Sequence, residues 1–289
     1  MKIGITGAGG QLGYDLNRVL GPVHELIAWN RAKLDVSQEQ AVMEMIQKER
    51  PDVVIHAAAY TNVDQAESEK ESAYETNAMG ALHLAKACES IGAKLVYVST
   101  DYVFDGTKGS LYDEEDVPNP INVYGHSKLL GEKFVRMSCS KHYIVRTSWL
   151  YGTKGSNFVT KVLEKARLGR PLSIVEDQFG SPTYCLDLAL FIRDLIETEH
   201  YGIYHASNQG LCSRYEFAIT ILQMAGLSNV PLLPVRTDAF PPSPAVRPMY
   251  TAFANKAIVD HGFAPMRDWR SALQFFLQVD YYDTAVSAK

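Results

Sequence analysis

Lys2-Ile3-Gly4-Ile5-Thr6-Gly7-Ala8-Gly9-Gly10-Gln11-Leu12-Gly13 runs from an alternating apolar pattern straight into a glycine cluster, and a helical pattern follows over 11–20. Strand, glycine turn and helix in that order open a parallel βαβ unit. Gly7 and Gly10 let the backbone turn tightly and approach a pyrophosphate lying on the positive end of the helix, and Gly13 lets that helix sit close on the strand. The spacing is Gly-x-x-Gly-x-x-Gly, not Gly-x-Gly-x-x-Gly. A glycine cluster also serves a tight turn with no ligand; the position between strand and helix favours the binding reading.

Working outward, β-branched runs at 25–29, 52–56, 94–99 and 142–147 alternate with helical patterns at 38–48, 72–91 and 124–139. That rhythm predicts a doubly wound α/β sheet. After Tyr151 the texture changes, with strands expected at 171–176 and 202–206, helices at 186–198, 214–225 and 269–279, and a stiff proline-rich loop at 240–248. The expected division is a dinucleotide-binding domain over 1–150 and a smaller α/β, mainly substrate-binding domain over 151–289, with some later segments returning to the first.

The chain has 289 residues, 46% of them hydrophobic, enough for one large core or two that share an interface. Its net charge of −5 supplies no basic field for nucleic acid or an anionic membrane. A phosphate-bearing ligand must therefore be held by local geometry. Cys88, Cys139, Cys185 and Cys212 are too far apart for paired metal-ligand spacing, and they read as buried apolar residues in a reducing compartment. No stretch has the character of a signal peptide or a bilayer span, so a cytoplasmic location is expected. The eight His residues show no ligand spacing and no metal is expected.

The second strand ends at Asn30-Arg31, where an acid would receive the ribose hydroxyls of NAD. Arg31 suits a 2′-phosphate, so NADP is preferred with NADH use left open; an ordinary solvated charge is the competing reading. Asp35, before Val36, is placed either to accept from an adenine amino group or to cap the next helix. Tyr124 and Lys128 lie four apart on one helix face, which puts the ammonium near the phenol and favours its ionised form. A phenol needs such help at neutral pH, because its ordinary pKa is about 10. Thr100, at a strand end, adds a hydroxyl for a substrate carbonyl oxygen.

These motifs, with Ser99-Thr100-Asp101-Tyr102-Val103-Phe104, Arg146-Thr147-Ser148-Trp149, Asp177-Gln178-Phe179-Gly180-Ser181-Pro182-Thr183 and Pro244-Ala245-Val246-Arg247-Pro248, make the chain resemble the extended short-chain dehydrogenase/reductases. Within them it is most similar to the dTDP-4-dehydrorhamnose reductases, over almost its whole length. The resemblance implies a Rossmann-type fold and NADPH-dependent reduction of the C4 carbonyl of dTDP-4-dehydro-β-L-rhamnose. It also implies Tyr124 as proton donor, Lys128 as its electrostatic partner and Thr100 as third catalytic member. Gly10, Gln11 and Leu12 would line the pyrophosphate, Asp35 and Val36 the adenine, and Ala59, Tyr60 and Thr61 the ribose side.

By the same resemblance Val63, Thr100, Asp101 and Trp149 would touch the sugar. Core packing for Trp149 and turn roles for Asp64 and Asp101 are the alternatives. Arg247 would clamp the substrate diphosphate from its stiff loop, and Asn157 would either donate to the same group or cap a helix. Some relatives form metal-bridged dimers through a first-helix Glu; here that helix offers the shorter Asp15, and monomer or homodimer stays open. Two other readings remain. One is an epimerase or dehydratase holding NAD+, although the Asp-Glu pair of dehydratases is Asp101-Tyr102 here; the other is an NADP-binding regulatory subunit.

Overall fold

The computed structural model describes residues 1–239 and 242–281, so Phe240 and Pro241 of the proline-rich stretch and the last eight residues lie outside it. Five strands, β1 (Lys2–Thr6), β2 (Glu25–Trp29), β3 (Val53–His56), β4 (Lys94–Thr100) and β5 (His142–Thr147), fall within one residue of the expected bounds. A sixth, β6 (Gly202–His205), returns from the second half and pairs with β5. The sheet is wholly parallel in the order β6-β5-β4-β3-β1-β2.

Both faces are covered, which is why these strands are apolar on alternate and intervening residues alike. Val53 and Ile55 pack with Leu12 and Leu16 of α1 (Gln11–Leu20), whereas Val54 faces Val42 and Ile46 of α2 (Glu39–Glu49). Beyond α2, the expected single helix over 72–91 is broken. A short α-helix, Lys70–Tyr74, passes through a π-helical turn, Glu75–Met79, into α3 (Gly80–Ile91). The turn holds buried Asn77, whose amide accepts from Tyr60 N at 2.8 Å and donates to Tyr60 O at 3.1 Å. Matching a side chain to a fixed backbone pair at that point accounts for the register shift.

Tyr124 and Lys128 ride on α4 (Val123–Ser138), capped by Asn122, whose side chain accepts from Gly125 N. A second core forms between α5 (Phe158–Arg167), α7 (Arg214–Met224) and α8 (Trp269–Phe275), centred on Tyr151, Phe217 and Trp269. Between α5 and α7, helix α6 (Cys185–Ile196) goes back to the main sheet and packs against α1. Short strand pairs, among them Leu172–Val175 with Leu232–Val235, edge this second core. All four cysteines are buried and free. Among the described residues no helix is long and apolar enough to cross a membrane.

Gly13 shows how tightly the first turn is built: a Cβ there would stand 2.3 Å from Gly7 O. Inside a helix Gly→Ala ordinarily stabilises by up to about 1 kcal/mol. Here Gly13→Ala is expected to destabilise by about 1–3 kcal/mol through overpacking, read from the denaturation midpoint. A stabilised variant would contradict the close packing.

Candidate active site

The strand order reverses between β1 and β3, and there a cleft of roughly 690 Å³ opens. Open α/β sheets bind ligands at this switch point because the diverging loops leave a crevice at the carboxyl ends of the strands. Its floor at one end is the glycine turn. Gly7 takes φ 68°, the left-handed region, and a Cβ on it would lie 2.6 Å from Ala58 N, so only glycine fits. Gly10 N donates to Gly7 O at 2.9 Å, and α1 begins with no side-chain cap on its first-turn N–H groups. Those donors, with the helix dipole behind them, suit a pyrophosphate.

Gly7, Gly10, Gln11, Leu12, Arg31, Asp35, Val36, Ala59, Tyr60, Thr61, Val63, Thr100, Asp101, Tyr124, Lys128 and Trp149 all line the one cleft. Gly13 stays behind it, in its packing role. Arg31 is highly exposed at the cleft mouth, 3.7 Å from Asp35. The Asp35 carboxylate accepts from Ser37 N at 3.1 Å and Ser37 Oγ at 2.8 Å and does not cap α2. Trp149 is cleft wall and also packs against the second core: it is half-buried, and its backbone sits at φ 48°, an unfavourable conformation of the kind that collects at functional sites.

At the inner end Tyr124 is half-buried, its ring edge-on to Tyr102 at 5.8 Å. Burial pushes its phenol well above the usual tyrosine range, and the neighbouring Thr100 hydroxyl opposes this only in part. The expected lowering by Lys128 is not found. Lys128 Nζ donates to Val98 O at 2.7 Å and stands 4.0 Å over the Tyr97 ring, so its charge is spent on strand and ring rather than on the phenol. Burial brings this lysine down to about 7, with buried Glu132 pulling the other way. Thr100 Oγ donates to Asp101 Oδ1 at 3.0 Å, and Thr251 Oγ to Asp101 Oδ2 at 2.6 Å. Burial raises Asp101 to about 6.

Two expected ligands stand elsewhere. Asn157 caps α5, accepting from Thr160 N at 3.1 Å, and its amide donates to Gly152 O at 2.9 Å and Gln11 Oε1 at 3.1 Å. It braces the glycine turn without lining the cleft. Arg247 is engaged by Asp64, with Nη2 to Oδ2 at 2.7 Å, and by Ala245 O at 2.8 Å, so its guanidinium ties the proline-rich segment to the helix start at Val63. Arg247 does not line the cleft either. Conversely, Arg214 lines it unforeseen; as the first residue of a helix pattern it carried no motif.

Residues 1–281 match the family model described as RmlD substrate binding domain. The spore coat polysaccharide biosynthesis protein SpsK of Bacillus subtilis is 42% identical over 96% of this chain and 97% of its own length. A dTDP-4-dehydrorhamnose reductase of Aggregatibacter actinomycetemcomitans is 41% identical over 93% of this chain and 96% of its own. The crystal structure of dTDP-4-dehydrorhamnose reductase from Bacillus anthracis in complex with NADP superposes with a TM-score of 0.93 at 45% identity, covering 96% of this chain and 98% of that one. With the glycine turn, the Tyr124/Lys128 pair and this agreement along the chain, the protein belongs to the dTDP-4-dehydrorhamnose reductase family.

Proposed function

We propose that this protein reduces the C4 carbonyl of dTDP-4-dehydro-β-L-rhamnose to give dTDP-β-L-rhamnose, with NADPH as the preferred reductant and NADH as a poorer one. The observation that carries this reading is a single cleft running from Arg31 and the glycine turn to Tyr124, Thr100 and Trp149. NADPH supplies the hydride when bound. The first turn of α1 and the Gly7–Leu12 backbone hold its pyrophosphate, and Arg31 meets its 2′-phosphate. In this reading 1–150 serve the cofactor and 151–289 mainly the sugar, with α6 and β6 returning to the first part.

Tyr124 donates the proton to the sugar oxygen. Its burial keeps the phenol loaded with that proton at neutral pH, and the alkoxide formed at the carbonyl is the stronger base, so transfer runs downhill. Thr100 Oγ gives its single proton to Asp101 in this structure and turns it to the same oxygen when the sugar binds. Lys128, held from below by Tyr97 and Val98, contributes positive charge while it is protonated. Trp149 bounds the sugar end of the cleft. The test uses NADPH deuterated at the transferring position: the label is expected on C4 of the sugar, with the L-rhamno product identified by NMR. Label elsewhere, or a product of opposite C4 configuration, contradicts the assignment.

The lysine sets a pH dependence. A lysine lowered to about 7 is charged below that pH and neutral above it. If the charge assists proton transfer, kcat/KM falls as pH rises through about 7, approaching tenfold per pH unit. Lys128→Met should be slow and lack this limb. A limb that persists in the variant assigns it to another group.

A further inference from the structure

Arg214 opens α7 directly after its capping residue Ser213, whose hydroxyl accepts from Glu216 N at 3.0 Å. Its guanidinium carbon stands 3.6 Å from the centre of the Trp149 ring and 5.2 Å from that of Phe158, on the cleft wall shared with Thr100, Asp101 and Tyr102. Among the described residues its side chain makes no hydrogen bond and no ion pair. Burial lowers its pKa, although Tyr102 and Asp101 attract the charge. Arg214 is part-buried, and a cation withdrawn from water to that degree ordinarily finds an anionic partner. A guanidinium held by its face on an indole keeps its N–H edge free for a planar or tetrahedral anion.

The other guanidinium in this region is already committed. Arg247 faces Asp64 bidentately and also donates to Ala245 O, which anchors its loop and leaves little donor capacity. We infer that Arg214, stacked on Trp149, binds the diphosphate of the nucleotide-sugar substrate, and that Arg247 serves chiefly to hold the proline-rich segment. This rests on the nucleotide-sugar reading above. Its mechanical sense is that one residue pair joins the two ends of the substrate: Trp149 bounds the sugar and carries the arginine that holds the phosphates.

The test is calorimetric titration of the full chain with dTDP and with thymidine, repeated for Arg214→Met, Arg214→Lys and Arg247→Met. Arg214→Met is expected to weaken dTDP binding by 10-fold or more, to leave the weaker binding of thymidine unchanged, and to raise KM for the ketosugar with little change in kcat. Arg214→Lys should fall between, since it keeps the charge but loses the fork and the stack. Because Arg214 is part-buried and the Met side chain keeps apolar contact with the Trp149 ring, Arg214→Met should leave the unfolding temperature close to wild type. Equal dTDP affinity in Arg214→Met overturns the inference. So does parallel loss of dTDP and thymidine, or a loss confined to Arg247→Met. Wild-type protein that binds neither dTDP nor the ketosugar overturns the nucleotide-sugar reading itself, which separates the two failures.

Discussion

Tyr124→Phe is expected to lower kcat by roughly 10²-fold or more while leaving NADPH affinity and the unfolding temperature close to wild type. The ring packs edge-on against Tyr102, a contact phenylalanine keeps, so the substitution removes the acidic proton and little else. In the proposed mechanism the phenol, raised by burial rather than lowered by Lys128, is protonated at working pH and acts as the donor. Rapid-mixing kinetics with saturating NADPH and ketosugar separate the chemical step from binding. Turnover within a few-fold of wild type removes Tyr124 from the mechanism.

Glu132→Ala carries the largest expected effect on stability, about 3–5 kcal/mol, because it strands a buried arginine. Glu132 and Arg146 are 3% and 2% exposed at their side chains, so solvent cannot take over the lost partner. Two bonds join them, Arg146 Nε to Oε1 at 3.0 Å and Nη2 to Oε2 at 2.7 Å, and Ser99 Oγ donates to Oε1 at 2.5 Å. Arg146 in turn meets the His205 ring at 3.2 Å and lies 5.2 Å from the centre of Phe104. The network thus fastens α4, which carries Tyr124 and Lys128, to β4, β5 and β6. Denaturant unfolding measures the loss, and Glu132→Gln should lose less because an amide still satisfies part of the network. A loss below about 1 kcal/mol for Glu132→Ala would show the network relaxes without strain.

The glycine turn and the alternation of strands and helices were legible because they are local. The bounds of β1, β2 and β5 follow from short apolar runs with breakers on either side, and α1 from its period. The parallel doubly wound sheet follows from that order. Contacts between distant segments left no comparable trace. The Arg247–Asp64 pair joins residues 183 positions apart, so a loop arginine that reads as a free phosphate clamp is already occupied. Lys128 is held by Tyr97 and Val98 of β4, which no spacing within its own helix encodes.

The π-helical turn at Glu75–Met79 escaped for the same reason. Its sequence is helical in character, and the deviation comes from buried Asn77 meeting Tyr60 across the fold. Asn157 is instructive in the other direction. Both of its readings were open from sequence, and the reciprocal bonds with Thr160 decide for the cap. Arg214 had no motif to mark it; only its stack on Trp149, from 65 positions earlier in the chain, places it on the cleft wall.

The central claim is most directly tested by mixing the purified protein with NADPH and dTDP-4-dehydro-β-L-rhamnose and following the nicotinamide absorbance, beside Tyr124→Phe. The account predicts oxidation of one NADPH per ketosugar consumed in the wild type, and a rate lower by roughly 10²-fold or more in the variant. NADPH that binds without being oxidised, or oxidation equally fast in Tyr124→Phe, would contradict it.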